Sequence, residues 1–429
     1  MTPTSTTNSL DTEVETPAGD RFIHPLTDFL KAEAGAGVLL VIAALVALVW
    51  ANSPWSDTYF DLRDTDAVVG IGDHQLVLDL RGWINDVAMV LFFFVAGLEI
   101  KREVTQGELR DPRHASLPIL AAAGGMIVPA VIFAILNAGT DGSRGWGIPM
   151  ATDIAIVTGV VAMIGSRAPS WLKLFLLALA IADDVGAIIV IAIFYSVGVS
   201  LGWLTLGIAT LAFTYCLRPR VRSVGVYLAL GAVCWMSLYQ AHVHTTLTGV
   251  AFGLLAPVTP RIGAHLIDAD DLARNPGPLT AARLSRQAQL SVSVVEWLEH
   301  RLHPWSAFVV VPTFALANAG IDIPASELSE AFSNRVTWGV MLGLVVGKTI
   351  GVSGATLLAV RLKVGRLPQD VATRDVIGAG ALAGIGFTVS LFVTELAYGD
   401  AALADQARLG VIVGSITAAL IGTAICLSG

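Results

Sequence analysis

Charge is scarce in this 429-residue chain: Asp, Glu, Lys and Arg make up 14% of it, against 55% for hydrophobic residues. Soluble domains carry about 25% charged residues, so a chain this long lacks the polar surface to cover two or three globular units. Cysteine is scarcer still. Cys216, Cys234 and Cys426 stand singly in apolar runs, which excludes a disulfide framework and the paired spacing of a zinc site. Basic residues are in no excess either, and a net charge of −8 leaves no footprint for nucleic acid. A phosphate-binding Gly-x-x-x-x-Gly-Lys-Ser/Thr loop is missing. Gly378-Ala-Gly380-Ala-Leu-Ala383 fits a loose dinucleotide pattern, but no strand precedes it and it lies in an apolar run, so no cofactor is expected. What the chain has in abundance is unbroken apolar sequence. The fold class is an all-α integral membrane protein.

A span needs ~20 largely apolar residues to cross ~30 Å of hydrocarbon. Twelve segments qualify as transmembrane helices: Ala34–Asn52, Trp83–Ile100, Ala115–Leu136, Ile148–Ile164, Trp171–Tyr195, Leu201–Tyr215, Ser223–Leu238, Thr245–Pro257, Trp305–Leu316, Val336–Val360, Val376–Ala397 and Leu409–Leu427. With the N-terminus inside, twenty of the 26 Lys and Arg residues fall in interior segments. Five (Arg63, Arg81, Arg144, Arg335 and Arg408) fall outside, and Lys348 alone lies deep within a span. The positive-inside rule therefore places both termini in the cytoplasm. Residues 1–26, rich in Thr, Ser and acidic residues, are expected to form a disordered cytoplasmic tail ahead of a membrane domain over 27–429. They lack the basic start of a signal peptide.

Two connections are long. The outer one, 53–82, alternates apolar residues around Gly72-Asp73, which predicts a small periplasmic β-hairpin; the plainer alternative is an irregular loop. The inner one, 258–303, holds an Arg-rich linker and then an amphipathic interfacial helix running into His300 and His303, with Pro304 starting the next span.

An ionisable group at the bilayer centre costs at least ~2.5–3.5 kcal/mol, so by default it marks an ion or substrate path. Asp86 and Glu99 lie near span ends; Asp153, Asp183, Asp184 and Lys348 lie deep. Asp183 follows Trp171 by twelve residues and Lys348 follows Val336 by twelve, which puts both ~18 Å in at 1.5 Å per residue. Opposite charges at one depth predict a pair. Each borders a stripe of small residues, Ala178, Ala182 and Gly186 in one span and Gly343, Gly347 and Gly351 in the other, so the two stripes are expected to pack together. The bland alternative is a fixed salt bridge that only locks two helices. A second carboxylate beside it argues for more: neighbours on a helix point ~100° apart, so Asp184 must face a different, hydrated space. Carboxylate oxygens suit a proton or a hard cation such as Na⁺ or Li⁺, and Asp183 and Asp184 are the candidate metal ligands.

Pro149 and the polar Thr152-Asp153 pair interrupt one span; Gly378-Ala-Gly380 and Gly384-Ile-Gly386-Phe-Thr388 interrupt another. Unwound helix at membrane depth is tolerated only where it lines a cavity or packs on protein. Two such spans predict inverted-topology repeats, with spans three to five and ten to twelve as the units.

The strings Phe94-Val-Ala-Gly-Leu-Glu99-Ile-Lys-Arg-Glu103, Ala151-Thr-Asp153, Ala180-Ile-Ala-Asp183-Asp184-Val-Gly-Ala187, Val243-His244, Leu298-Glu-His300 with His303-Pro-Trp305, Gly347-Lys348 and Gly384-Ile-Gly-Phe-Thr388 occur in this order. Together they resemble the NhaA family of bacterial sodium/proton antiporters, from about Thr27 to Ile425. The resemblance implies a pH-regulated, electrogenic antiporter, not an enzyme, of the bacterial inner membrane. It exchanges Na⁺ or Li⁺ for H⁺, and a homodimer pairs through the outer hairpin. It implies that Asp184 and Asp183 form the ion and proton site, with Lys348 the partner of Asp183, and that Asp153 and Thr152 belong to the interrupted helices, which cross. Glu99, Glu103, Glu299, His300 and His303 would line a pH-sensing cytoplasmic entrance, and His244 would act in the pH response near the outer side. Plainer alternatives are a solvated charge for Glu99, an interfacial helix start for His300 and His303, and a helix cap for His244. Glu296, Trp297 and a longer linker around Asp268–Gly277 depart from the family, which bears on the pH set point and not on the exchange chemistry. Two rival classes lack their marks. An intramembrane aspartyl protease needs two carboxylates on one water, and a passive cation channel needs charge rings or filter loops.

Overall fold

Apolar runs this long satisfy their backbone hydrogen bonds within the segment by coiling. In the computed structural model the regular structure of the described residues is accordingly helical, apart from one strand pair. The structure describes residues 20–71, 74–196, 198–218, 220, 223–258, 292–322, 332–368 and 371–428. Residues 1–19 of the expected tail, the hairpin tip at Gly72-Asp73 and residues 259–291 of the expected linker lie outside the described residues.

The helices, in order, are α1 (Asp20–Ala51), α2 (Ser56–Arg63), α3 (Leu80–Thr105), α4 (Pro112–Leu136), α5 (Ile154–Ile164), α6 (Ser170–Phe194), α7 (Leu201–Leu217), α8 (Val224–Gln240), α9 (Leu247–Leu255), α10 (294–318), α11 (Arg335–Arg361), α12 (Thr373–Leu382), α13 (Phe387–Ala397) and α14 (Ala401–Leu427). Among the described residues, five helices are long and apolar enough to cross a membrane, and up to eight spans result if each bent pair is taken as one. Each of the twelve expected segments overlaps a helix, although α9 has only nine residues.

Several boundaries differ from expectation, among them the start of α3 at Leu80, which takes in Arg81 from the expected outer loop. Helix α1 begins at Asp20, inside the stretch assigned to the tail. Helix α14 begins at Ala401 because Asp400 caps it, its carboxylate accepting from the amides of Ala402 (2.8 Å) and Leu403 (3.2 Å). Arg408, expected in an outer loop, is therefore a buried helix residue. Pro304 starts nothing: α10 runs through it, and a π segment, Ser306–Val310, directly follows and accommodates the lost backbone bond. The helix starts at Ser293, which forms a reciprocal capping box with Glu296.

The outer connection holds the short helix α2 as well as the hairpin. Strands β1 (Asp66–Ile71) and β2 (His74–Asp79) pair antiparallel, with Asp66 opposite Asp79 and Val68 opposite Val77. Asp79 then caps α3 by accepting from Gly82 N at 2.6 Å, and Trp83 Nε1 donates to Ala67 O at 2.9 Å, which ties hairpin to helix.

Two helices are broken where the sequence is. A 3-10 segment, Asp141–Met150, meets α5 at 45°, and α12 meets α13 at 48°. The two breaks touch: Asp153 N donates to Ile385 O at 2.6 Å. The interrupted helices meet there, and the site is built around that contact.

Candidate functional site

At the first break the chain is extended at Ala151 and Asp153, and at the second it turns through Ala383 and Gly384, so backbone groups that a continuous helix would consume reach neighbours instead. Asp153 satisfies several of them. Its Oδ1 accepts from Ile156 N at 3.1 Å and caps α5; its Oδ2 accepts from Thr388 N at 2.9 Å and from the Thr388 hydroxyl. One carboxylate thus sits at the N-termini of both α5 and α13, where helix dipoles favour negative charge. Thr388 was missed as a site residue by the sequence reading. The available signal was its place as the first polar side chain after the second break, mirroring Thr152-Asp153 after the first.

Lys348, on α11, forms an ion pair with Asp183, on α6, and both side chains are 0% exposed. The pairing is the expected one, but the packing beneath it is not. The two small-residue stripes do not face each other; both face α4. A Cβ on Gly351 would run into the Gly124 carbonyl and lie 3.1 Å from Val128 Cβ, one on Gly347 would lie 2.8 Å from Pro129 Cα, and one on Gly186 would strike Met126. Helix α4 is thus wedged between α6 and α11, and the lysine side chain must pass it. Gly125 lies beside its path: a Cβ there would stand 2.7 Å from Val352 Cγ2, one turn beyond the lysine on α11, and in ordinary contact, 3.6 Å, with Lys348 Cδ and Nζ. A π segment, Gly343–Gly347, ends immediately before the lysine and shifts the helical phase that aims it.

The Thr152 hydroxyl completes this buried group. Lys348 Nζ donates to it at 3.0 Å, while Asp183 Oδ2 lies 2.6 Å and Ala383 O 2.9 Å away. A hydroxyl has one proton to give, so Thr152 serves either the carboxylate or the carbonyl at the second break at any moment. Among the described residues, no hydrogen-bond partner reaches the buried Asp183 Oδ1.

Asp184 points elsewhere, as its position one residue on requires. With Thr152, Asp153 and Thr388 it lines a cavity of about 70 Å³ that extends past Glu99 to His303. That is room for water or a small ion beside the two breaks. Among the described residues, no three His, Cys, Asp or Glu side chains converge as a multidentate metal site would need. The oxygens at hand are carboxylate and hydroxyl, suited to a proton or a weakly held hard cation.

Around Arg102, which also lines this cavity, the expected entrance residues gather. The arginine pairs with Glu299 and lies 3.4 Å from Glu103 Oε1; His303 Nε2 is 3.9 Å from Glu99 Oε1. Burial pushes the Glu299 carboxyl above its ordinary range, and the Arg102 charge opposes that shift. His300 is exposed and does not line the cavity. His244 lies apart, in a second cavity with Asp86, Tyr195, Tyr239 and Thr245 at the hairpin end of α3. Its Nε2 is 3.0 Å from Tyr195 O, and burial holds the imidazole below its ordinary range. Arg102 and Gly125 are further residues that the sequence reading left unassigned.

Comparison with known proteins agrees with this geometry. The Na⁺/H⁺ antiporter 1 family profile matches residues 27–426. The chain is 44% identical over 421 residues to a protein of Sorangium cellulosum named Na⁺/H⁺ antiporter NhaA 2, covering 94% of this chain and 89% of that one. It is 41% identical over 438 residues to Na⁺/H⁺ antiporter NhaA of Rhodopirellula baltica, with 98% of each covered, and 42% identical over 409 residues to the NhaA antiporter of Nocardia farcinica, with 94% and 90% covered.

Proposed function

The chain belongs to the Na⁺/H⁺ antiporter 1 family, and from that membership we propose that it moves intracellular Na⁺, or Li⁺, out of the bacterial cell in exchange for H⁺ by alternating access. All twelve helical segments, α9 included, count as passes of the inner membrane in this reading, with both termini cytoplasmic and the Glu99–His303 cavity open to the cytoplasm. One observation carries it: of two adjacent deep carboxylates, Asp183 is neutralised by Lys348, while Asp184 faces the cavity with no basic partner among the described residues.

Facing inward, Asp184 releases its proton and takes Na⁺, with Asp153, Thr152 and Thr388 supplying neighbouring oxygens. The loaded site then opens to the other side, where protons displace Na⁺ and the protonated site returns. A second proton travels on Asp183 or on Lys348 as their pair breaks and reforms. Two protons against one Na⁺ move a net charge, so transport is electrogenic. Glu99, Glu103, Glu299 and His303 set the pH response at the entrance, and His244 contributes from the outer side. The hairpin joins two copies into a homodimer. The test is Asp184→Asn in proteoliposomes: Na⁺-driven proton movement is expected to vanish while the protein stays folded, and exchange at the wild-type rate would refute the assigned site.

A further inference from the structure

Helix α13 carries more than Thr388 on the face that meets the site. Thr388, Phe392 and Glu395 are spaced by four and three residues and so form one stripe. The stripe runs ~10 Å from the site toward the hairpin end of the molecule. Each member is engaged. Thr388 binds Asp153. Phe392 packs between Phe93 of α3 and Phe314 of α10, with ring centroids 5.2 and 6.2 Å away. All three rings are buried, at 2%, 4% and 0% exposure for Phe392, Phe93 and Phe314. Glu395 pairs with Arg408 of α14 and, at 3.3 Å, with Arg81 at the start of α3. Arg408 also pairs with Asp405, so it stays neutralised whichever way Glu395 moves.

Helix α3 presents the matching series from the other side of the same path. Glu99 and Arg102 line the open cavity at one end, Phe93 lies at the aromatic layer, and Arg81 at the far end reaches Glu395. Beyond the site, the route toward the hairpin end is therefore shut twice, by an apolar layer that excludes water and ions and then by an ion pair joining α13 to α3. The α13 side of that pair is continuous with the residue that holds Asp153.

We propose that Arg81 and Glu395 are positioning residues for transport: their ion pair, above the Phe93–Phe314–Phe392 layer, latches the outer side of the site shut and must break each time the site opens outward. This rests on the exchange function proposed above. Arg408 and Asp405 form the static base from which Glu395 reaches the moving partner.

Breaking the latch shifts the population away from the inward-open state, and the apparent affinity for a ligand falls with the fraction of competent protein. The test is Na⁺ dependence of proton movement in everted membrane vesicles for Arg81→Gln, Glu395→Gln, the double variant and Arg81→Lys. Each single Gln variant is expected to raise the apparent KM for cytoplasmic Na⁺ about threefold or more, with Vmax changed less. The double variant is expected to be no worse than the poorer single, because one interaction is lost in all three. Arg81→Lys is expected to match the wild type. A readout independent of transport is hydrogen exchange of residues 387–397 in purified, Na⁺-free protein, expected to quicken in Arg81→Gln and not in Arg81→Lys. Multiplying KM effects in the double variant, or unchanged KM with unchanged exchange protection, would overturn the latch. Loss of thermal stability with no KM shift would also overturn it, by making the pair a fixed brace. A wild-type chain that moves no protons with Na⁺ would instead sink the proposed function, and hydrogen exchange would still decide the latch.

Discussion

Removing one partner of the Asp183–Lys348 pair leaves a fully buried ionised group without its counter-charge, which costs about 3–5 kcal/mol. Lys348→Met alone is therefore expected to lower the melting temperature sharply in detergent, and combining it with Asp183→Asn is expected to recover most of the loss. Equal melting temperatures for the single and double variants would contradict the buried pair. His244 offers a second test. Because burial holds its pKa below the ordinary ~6.5, the folded chain binds that proton less well than the unfolded chain. The stability it contributes is complete above ~6.5 and is lost as pH falls toward the folded value. Wild-type melting temperature should thus fall more steeply than that of His244→Gln between about pH 7 and pH 5. At this scale the sequence was informative where a charge sat where none belongs, as with Asp183, Asp184 and Lys348. It was mute on Thr388, Gly125 and Arg102, whose side chains are ordinary for their segments and matter only through what the fold sets beside them.

Helix α4 is the element on which the site's precision rests. Gly351 lets α11 settle against Gly124, and that contact fixes how far Lys348 must reach past Gly125. Gly351→Ala forces the helices apart and is expected to cost about 1–3 kcal/mol. It should also slow exchange, because the lysine no longer reaches Asp183. Gly354→Ala is the matched control: its Cβ enters open space on the same helix, so stability should hold or improve. Thermal melts of the two variants decide whether the close approach or mere glycine content matters. Helix positions were readable from apolar length, and the two broken helices from Pro149 and the glycines around Gly384. Partner choice was not. A small-residue stripe says that something comes close without saying what, which is why the stripes of α6 and α11 were matched to each other and not to α4. The ends of α3 and α14 were misjudged for a related reason, since Arg81 and Arg408 read as loop charges until Glu395 and Asp405 are seen to hold them.

For the whole molecule, the proposed homodimer depends on the hairpin, whose two strands pair with no third strand among the described residues. Replacing residues 66–79 by a short Gly-Ser linker is expected to give monomers in detergent cross-linking while each chain retains Na⁺-driven proton movement; intact dimers would move the interface elsewhere. Nothing in one chain's composition specifies that contact, whereas the membrane architecture follows from its length and hydrophobicity almost alone. The claim on which the rest depends is that Na⁺ and H⁺ compete for the carboxylates where the two broken helices meet. Proton release from purified, detergent-solubilised protein on adding NaCl, followed between about pH 6.5 and 8.5, tests it without any membrane gradient. The account predicts release that saturates with Na⁺, is not produced by K⁺ or choline, and disappears in Asp184→Asn. No release at any pH in that range, or undiminished release from Asp184→Asn, would contradict it.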